Sequence, residues 1–198
     1  IEALKRHKIE YVDVLASTNK TRVAAGAIAN VIAYLSDPTS PTKLSRAYQV
    51  WRRDWRDDSL TEDKGLAASQ KAMLTITAEL LRKVGEAETF VAPNQDHDWL
   101  AALSESEAED EVIQELRLFK VAVNRWLNAV TLPIDQLILT LAQELFTDAA
   151  DLALAHKLAL VLRRAADDHA DWRLPELTAE LGVIARNERR FIGFSSDD

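Results

Sequence analysis

Apolar residues recur at helical spacing along most of the chain. Between Glu107 and Val130 they stand three or four positions apart, which predicts a long helix with one packed face: Val112, Leu116, Phe119, Val123, Trp126 and Val130. A second stripe of the same kind predicts the next helix: Ile134, Leu137, Ile138, Leu141 and Leu145. The segment from Leu152 to Leu162 is apolar nearly all round, so we expect it to form the central, most buried helix.

Proline and small polar residues mark the ends of the predicted helices. Ser40 can cap a helix whose first turn contains Pro41, and Ser106 with Glu109 can form a capping box. The stretch from Gly85 to Asp98 has the most loop-like composition. Together these boundaries predict an all-α protein, an irregular multi-helix bundle of about seven or eight helices that forms a single helical domain.

One short segment near the start of the chain is predicted to be extended instead. Ile9 to Leu15 is a short run that carries β-branched and aromatic residues, as strands do. Because a lone strand cannot pair with itself, we expect its partner strands to lie outside this chain, with residues 1–20 forming an edge segment. The chain begins without Met and stops shortly after Phe194, which is expected of a piece of a larger protein.

The composition agrees with a helical, soluble protein. Five Gly and five Pro in 198 residues are few enough to favour long helices. The absence of cysteine excludes disulfides and thiol catalysis and is expected of a cytoplasmic protein. No apolar run approaches the roughly 20 residues that span a bilayer, so we expect no membrane partner.

The net charge of −8 conceals a strong asymmetry. Residues 1–56 carry ten Lys and Arg against five Asp and Glu, whereas residues 57–198 carry fourteen against twenty-seven. An acidic body repels polyanions, so any contact with nucleic acid must be local and N-terminal.

The Arg- and Trp-rich residues 41–57 hold the candidate nucleic-acid-binding side chains. On one continuous helix the apolar face would carry Leu44, Tyr48, Trp51 and Trp55, which favours a core position for both tryptophans over base stacking. Arg46, Arg53 and Arg56 would form a basic stripe on the other, solvent face that either contacts phosphate or is merely a solvated charged face. The candidate residues are Arg46, Arg52, Arg53 and Arg56.

Sequence signatures of catalysis are absent. The chain has no Gly-rich phosphate loop, no metalloprotease motif and no nucleophile elbow, so no catalytic residue and no bound cofactor are predicted. His97 and His169 each stand beside aspartates and could bind a metal, but solvation in a loop or at a helix end is the favoured interpretation. No metal site is therefore predicted.

Four segments of residues 1–56 resemble the helical insert in the second RecA-like domain of UvrD/Rep/PcrA-type superfamily 1 helicases. They are the basic helix from Leu4 to Lys8, the strand Ile9-Glu10-Tyr11, the sequence Ala33-Tyr34-Leu35-Ser36-Asp37-Pro38 and the helix from Leu44 to Val50. Leu132 to Leu137 and Arg186 to Phe194 also look like a bacterial branch of these proteins. At the family's Pro-x-Arg-Gly-Ile-Gly segment, which grips duplex phosphates, this chain has Val50 to Trp55 without glycine, so arginine side chains would have to replace backbone contacts.

The resemblance implies a function for a larger parent protein. The parent would be an ATP-dependent 3′–5′ DNA helicase that uses ATP and Mg²⁺, and this chain would be its 2B subdomain, without catalytic residues or cofactors. The implied partners are duplex DNA, contacted weakly, the rest of the helicase chain and DNA repair proteins. The alternative is a non-enzymatic helical module that binds another protein.

Overall fold

The computed structural model describes residues 19–57, 60, 62–93, 98–104 and 110–186, and over these residues the fold is all-α without a strand, as predicted. None of the helices in these ranges is long and apolar enough to cross a membrane. The nine α-helices and one 3₁₀ turn of the described residues are, in chain order, α1 (Asn19–Ser36), α2 (Pro41–Trp51), the 3₁₀ turn (Arg53–Arg56), α3 (Lys64–Lys83), α4 (Ala87–Val91), α5 (Trp99–Ser104), α6 (Asp110–Ala129), α7 (Ile134–Leu145), α8 (Ala149–Asp168) and α9 (Leu174–Ala185).

Two short helices were not predicted. The predicted loop from Gly85 to Asp98 contains α4, and α5 begins directly after it. Several predictions fall on residues that the structure does not describe. These are the extended segment Ile9–Leu15, the edge segment 1–20 apart from its last two residues, and the capping box of Ser106 with Glu109.

Helix starts use side-chain caps where the sequence provides them. The Ser40 hydroxyl accepts a hydrogen bond from the Lys43 backbone N–H (3.3 Å), and Pro41 occupies the first helical position, as predicted. The carboxylates of Asp63 and Asp148 cap α3 and α8 in the same way. These caps satisfy backbone N–H groups that have no partner within their helices.

Both apolar stripes form packed helix faces. In α6 the stripe residues from Val112 to Trp126 are buried, and Val130 packs half-buried against the core just beyond the helix end. Every stripe residue of α7, from Ile134 to Leu145, is buried. The periodic pattern therefore predicted both helices and the faces they bury.

The prediction that Leu152–Leu162 forms the central helix is wrong. Leu152 is 37% exposed and Leu160 is 42% exposed, so α8 buries only one face. Helix α1 buries half of its 18 residues, among them Ile28, Val31 and Ile32. Small residues explain its position, since the alanines and the glycine of α1 let neighbouring helices approach closely, as α9 does beside Gly26.

Helices α2, α3 and α6 together position the candidate interface. The buried Ser45 hydroxyl of α2 donates to the Ala78 carbonyl of α3 (2.7 Å). At the other end of α2, the rings of Tyr48 and Trp51 lie 5.1 Å and 5.4 Å from the Phe119 ring of α6, measured between centroids. These contacts fix the C-terminal end of α2, next to the candidates Arg52 and Arg53, against the core.

Candidate nucleic-acid interface

Arg52 follows the last residue of α2 and forms an ion pair with Glu115 of α6. Its Nε lies 2.7 Å from Oε1 of the carboxylate, and its Nη2 lies 2.9 Å from Oε2. This is the bidentate geometry of a strong arginine–carboxylate pair. The Glu115 side chain is 7% exposed and that of Arg52 is 25% exposed, so the pair is largely withdrawn from water.

The Tyr48 hydroxyl completes the coordination of the Glu115 carboxylate. It donates to Oε1 over 3.2 Å, so the carboxylate accepts three side-chain hydrogen bonds. Burial of the phenol raises the pKa of Tyr48 well above its usual range, and the negative charge of Glu115 raises it further. Tyr48 is therefore a neutral hydrogen-bond donor at any physiological pH.

The two tryptophans hold the Arg52 guanidinium between them. Its central carbon lies 3.8 Å from the Trp51 ring centroid and 4.6 Å from that of Trp55. Both indoles are half-buried and pack against the core. They occupy core-facing positions, as predicted, although neither is fully buried, and the ring faces within reach of Arg52 are occupied by cation–π contacts.

Arg53 connects the 3₁₀ turn to α8. Its Nη2 lies 3.0 Å from Asp151, and its guanidinium carbon lies 4.3 Å from the Phe146 ring centroid. The side chains of Arg53 and Asp151 are each only 20% exposed. Arg53 thus fastens two parts of the fold together.

The expectation that Arg53 lies on a solvent-facing stripe is wrong, and the candidate Arg52 is largely withdrawn from water as well. The expectation assumed one α-helix through residues 41–57, but α2 ends at Trp51 and residues 53–56 form a 3₁₀ turn. A 3₁₀ turn advances 120° per residue and not 100°, so the register of the α-helix is lost after Trp51. Arg52 consequently lies against α6 and Arg53 against α8.

Arg46 and Arg56 are the two candidates on the surface. Both are exposed, and the Arg56 Nη2 donates to Oε1 of Gln49 (2.7 Å), which holds its guanidinium beside α2. Arg56 also lines an open groove between α2 and α3, together with Lys71 and Arg82 of α3. Of the four candidate arginines, then, two can reach a ligand from solvent and two stabilise the fold.

Two kinds of residue at this site were not predicted. Glu115 occupies a position on the buried face of α6, where a single acidic residue among apolar ones signals a buried partner. Lys71 and Arg82 lie outside residues 1–56, the segment in which contacts with nucleic acid were expected. A local excess of positive charge could have indicated them, because α3 carries four Lys and Arg against one Glu within an acidic body.

The histidines covered by the structure occupy ordinary environments. His156 is exposed on α8, and His169 stacks on Trp172 with centroids 4.2 Å apart. His97 lies outside the described residues. Within the described ranges, no three His, Asp or Glu side chains come together as a metal-binding group.

Comparison of the chain with protein-family models, with curated proteins and with solved structures found no match. The functional assignment therefore depends on the residue pattern and on the geometry given above.

Proposed function

We propose that this chain is the helical 2B-type subdomain of an ATP-dependent 3′–5′ DNA helicase. The motor domains elsewhere in the parent would bind ATP and Mg²⁺ and translocate on single-stranded DNA. The subdomain would touch duplex DNA weakly and control unwinding by its position, without contributing a catalytic residue. The rest of the helicase chain, DNA and repair proteins would be its partners, in the cytoplasm.

The observation that carries the proposal is the end of helix α1, the turn after it and the helix α2 that follows, from Ala33 to Val50. α1 ends at Ser36, and α2, which contains Val50, begins at Pro41. The turn between them centres on Asp37, whose carboxylate accepts hydrogen bonds from the Lys43 ammonium (2.9 Å) and the Thr39 hydroxyl (2.8 Å). These bonds hold the pKa of Asp37 below its usual range.

The positions of these helix ends support the proposal because they coincide with the resemblance in sequence. The matching segment has a helix ending in Ala-Tyr-Leu, an Asp-Pro turn and a helix that reaches a Val, and the structure has the same three parts at the same residues. Tyr34 and Leu35 are buried, so the matching residues also belong to the core. The match in sequence and the positions of the helix ends therefore agree over residues 33–50.

Charge distribution supports a weak DNA contact through Arg46 and Arg56. Both are exposed, Arg46 on α2 and Arg56 beside it through Gln49, in an otherwise acidic protein, and arginine forms strong hydrogen bonds to phosphate. Because the body of the chain repels DNA, we expect affinity for duplex in the non-specific range of about 10⁻⁴–10⁻⁶ M or weaker.

The coding sequence on both sides of this chain tests the proposal directly. A helicase parent must carry a phosphate-binding loop with its lysine upstream and a Gln-x-x-Arg motif downstream, since ATP hydrolysis requires both a phosphate cradle and motor-domain arginines. A complete reading frame that lacks both motifs would contradict the proposal. It would leave the non-enzymatic, protein-binding helical module as the better assignment.

A further inference from the structure

An open groove of about 300 Å³ runs between the C-terminal end of α2 and helix α3. Leu74 and Ala78 of α3 form its apolar floor, since both are buried. The charged side chains that line it are Arg56 on one wall and Lys71, Glu79 and Arg82 on the other. Three cations thus face one carboxylate, so the described lining is positive while the chain as a whole carries a net charge of −8.

Both arginines that line the groove, Arg56 and Arg82, can bind an anion. Arg82 is exposed, and no carboxylate of the described residues lies within ion-pair distance of its guanidinium. Arg56 uses one of its five N–H groups for the bond to Gln49, which orients the guanidinium and leaves the others for a ligand. An oriented guanidinium loses less side-chain entropy on binding than a freely rotating one.

The lining of the groove selects the chemistry of its ligand. Arg56 and Arg82 line it from opposite walls, so a phosphate-bearing ligand in the groove has a guanidinium on either side. Each guanidinium can pair with a phosphate through two parallel N–H···O hydrogen bonds. The apolar floor can pack against sugar rings between the phosphates.

We propose that the α2–α3 groove is a phosphate-binding site, in which Arg56 from one wall and Arg82 from the other hold the phosphate groups of one ligand. The assignment of those phosphates to a DNA strand rests on the proposed function. The groove extends the interface beyond the N-terminal basic segment to Arg82 of α3. Its arginines would supply the side-chain contacts that this chain needs because it lacks the glycine-rich segment.

Side-chain NMR of the chain tests the site in two arms. The first arm titrates inorganic pyrophosphate and follows the arginine Nε–H signals, and the second titrates duplex DNA. We expect the signals of Arg56 and Arg82 to shift in both arms. Arg82→Glu should weaken duplex binding about tenfold and flatten the slope of log K against log salt by about 0.9, because one phosphate contact is lost.

Lys83→Glu is the matched control, since Lys83 is the exposed neighbour of Arg82 on α3 and does not line the groove. It makes the same change in net charge and should leave the affinity within about twofold. Unmoved Arg56 and Arg82 signals in the pyrophosphate arm, or equal losses for the two variants, would overturn the site. Shifts with pyrophosphate but none with duplex would uphold the phosphate site and reject the DNA contact of the proposed function.

Polyglutamate serves as a third probe, because a carboxylate-rich protein segment is the other polyanion that a basic groove could hold. We expect it to bind more weakly than duplex at equal charge, since a flexible peptide loses more backbone entropy on binding than the stiff duplex does. Binding as tight as that of duplex, and equally sensitive to Arg82→Glu, would overturn the phosphate assignment.

Discussion

Replacing Arg52 by alanine should lower the free energy of unfolding by about 3 kcal/mol or more, because it leaves a buried carboxylate without its partner. Glu115 is 7% exposed and accepts two of its three side-chain hydrogen bonds from Arg52. The substitution also removes the cation from between Trp51 and Trp55. Urea denaturation of the purified chain, followed by tryptophan fluorescence and by circular dichroism, measures the loss.

Arg46→Ala is the control for this effect. Arg46 is exposed on α2 and has no ion pair with the described residues, so its removal should change stability by less than about 0.5 kcal/mol. A double variant, Arg52→Met with Glu115→Leu, should recover much of the lost stability because it leaves no buried charge uncompensated. If Arg52→Ala were as stable as the parent chain but bound duplex less tightly, Arg52 would be a DNA ligand and its structural role would be wrong.

Raising the pH above about 10 should destabilise the fold steeply, because two buried tyrosines must stay neutral in the folded state. Burial raises the pKa of both Tyr34 and Tyr48 well above their ordinary value of 10.0. The unfolded chain therefore releases these two protons first. The stabilisation is fully present below about pH 10 and is lost as pH rises towards the folded pKa values, at up to about 2.7 kcal/mol per pH unit for two groups.

Tyr34→Phe isolates one of these groups with little cost at neutral pH. Its hydroxyl is buried and has no hydrogen-bond partner in the described part of the chain, so losing it should be nearly neutral. Urea denaturation at a series of pH values between neutrality and pH 11 should show the alkaline slope of the variant falling by about half. A variant with the slope of the parent chain would show that Tyr34 is not buried as described.

Local, periodic information was sufficient to predict most of the fold. The stripes of α6 and α7 and the cap at Ser40 follow from side-chain spacing and backbone donors, which act over a few residues. The burial of α8 was predicted wrongly for a physical reason. An apolar segment does not determine which of its faces meets a neighbour, and only one face of α8 is buried.

The candidate interface could be predicted only in part. The sequence identified the arginine-rich segment and the core-facing positions of its tryptophans, but periodicity could not reveal that the helix ends at Trp51. The partners of Arg52 and Arg53 lie 63 and 98 residues away in the chain, so their ion pairs depend on tertiary structure. Tertiary structure also brings Arg82 to the same groove as Arg56, because α3 packs on α2.

In the proposed function the exposed arginines meet DNA phosphates while the paired ones hold the fold. The most direct test is the affinity of the chain for duplex DNA across a series of salt concentrations, for the parent chain and for the double variant Arg46→Glu/Arg56→Glu. Lys83→Glu/Arg117→Glu is the matched control, because both residues are exposed, lie outside the α2–α3 groove and change the net charge equally. The proposed function predicts that only the first double variant flattens the slope of log K against log salt, by about 1.8 for two lost phosphate contacts. Equal slopes for all three proteins, or the same flattening in the control, would contradict it.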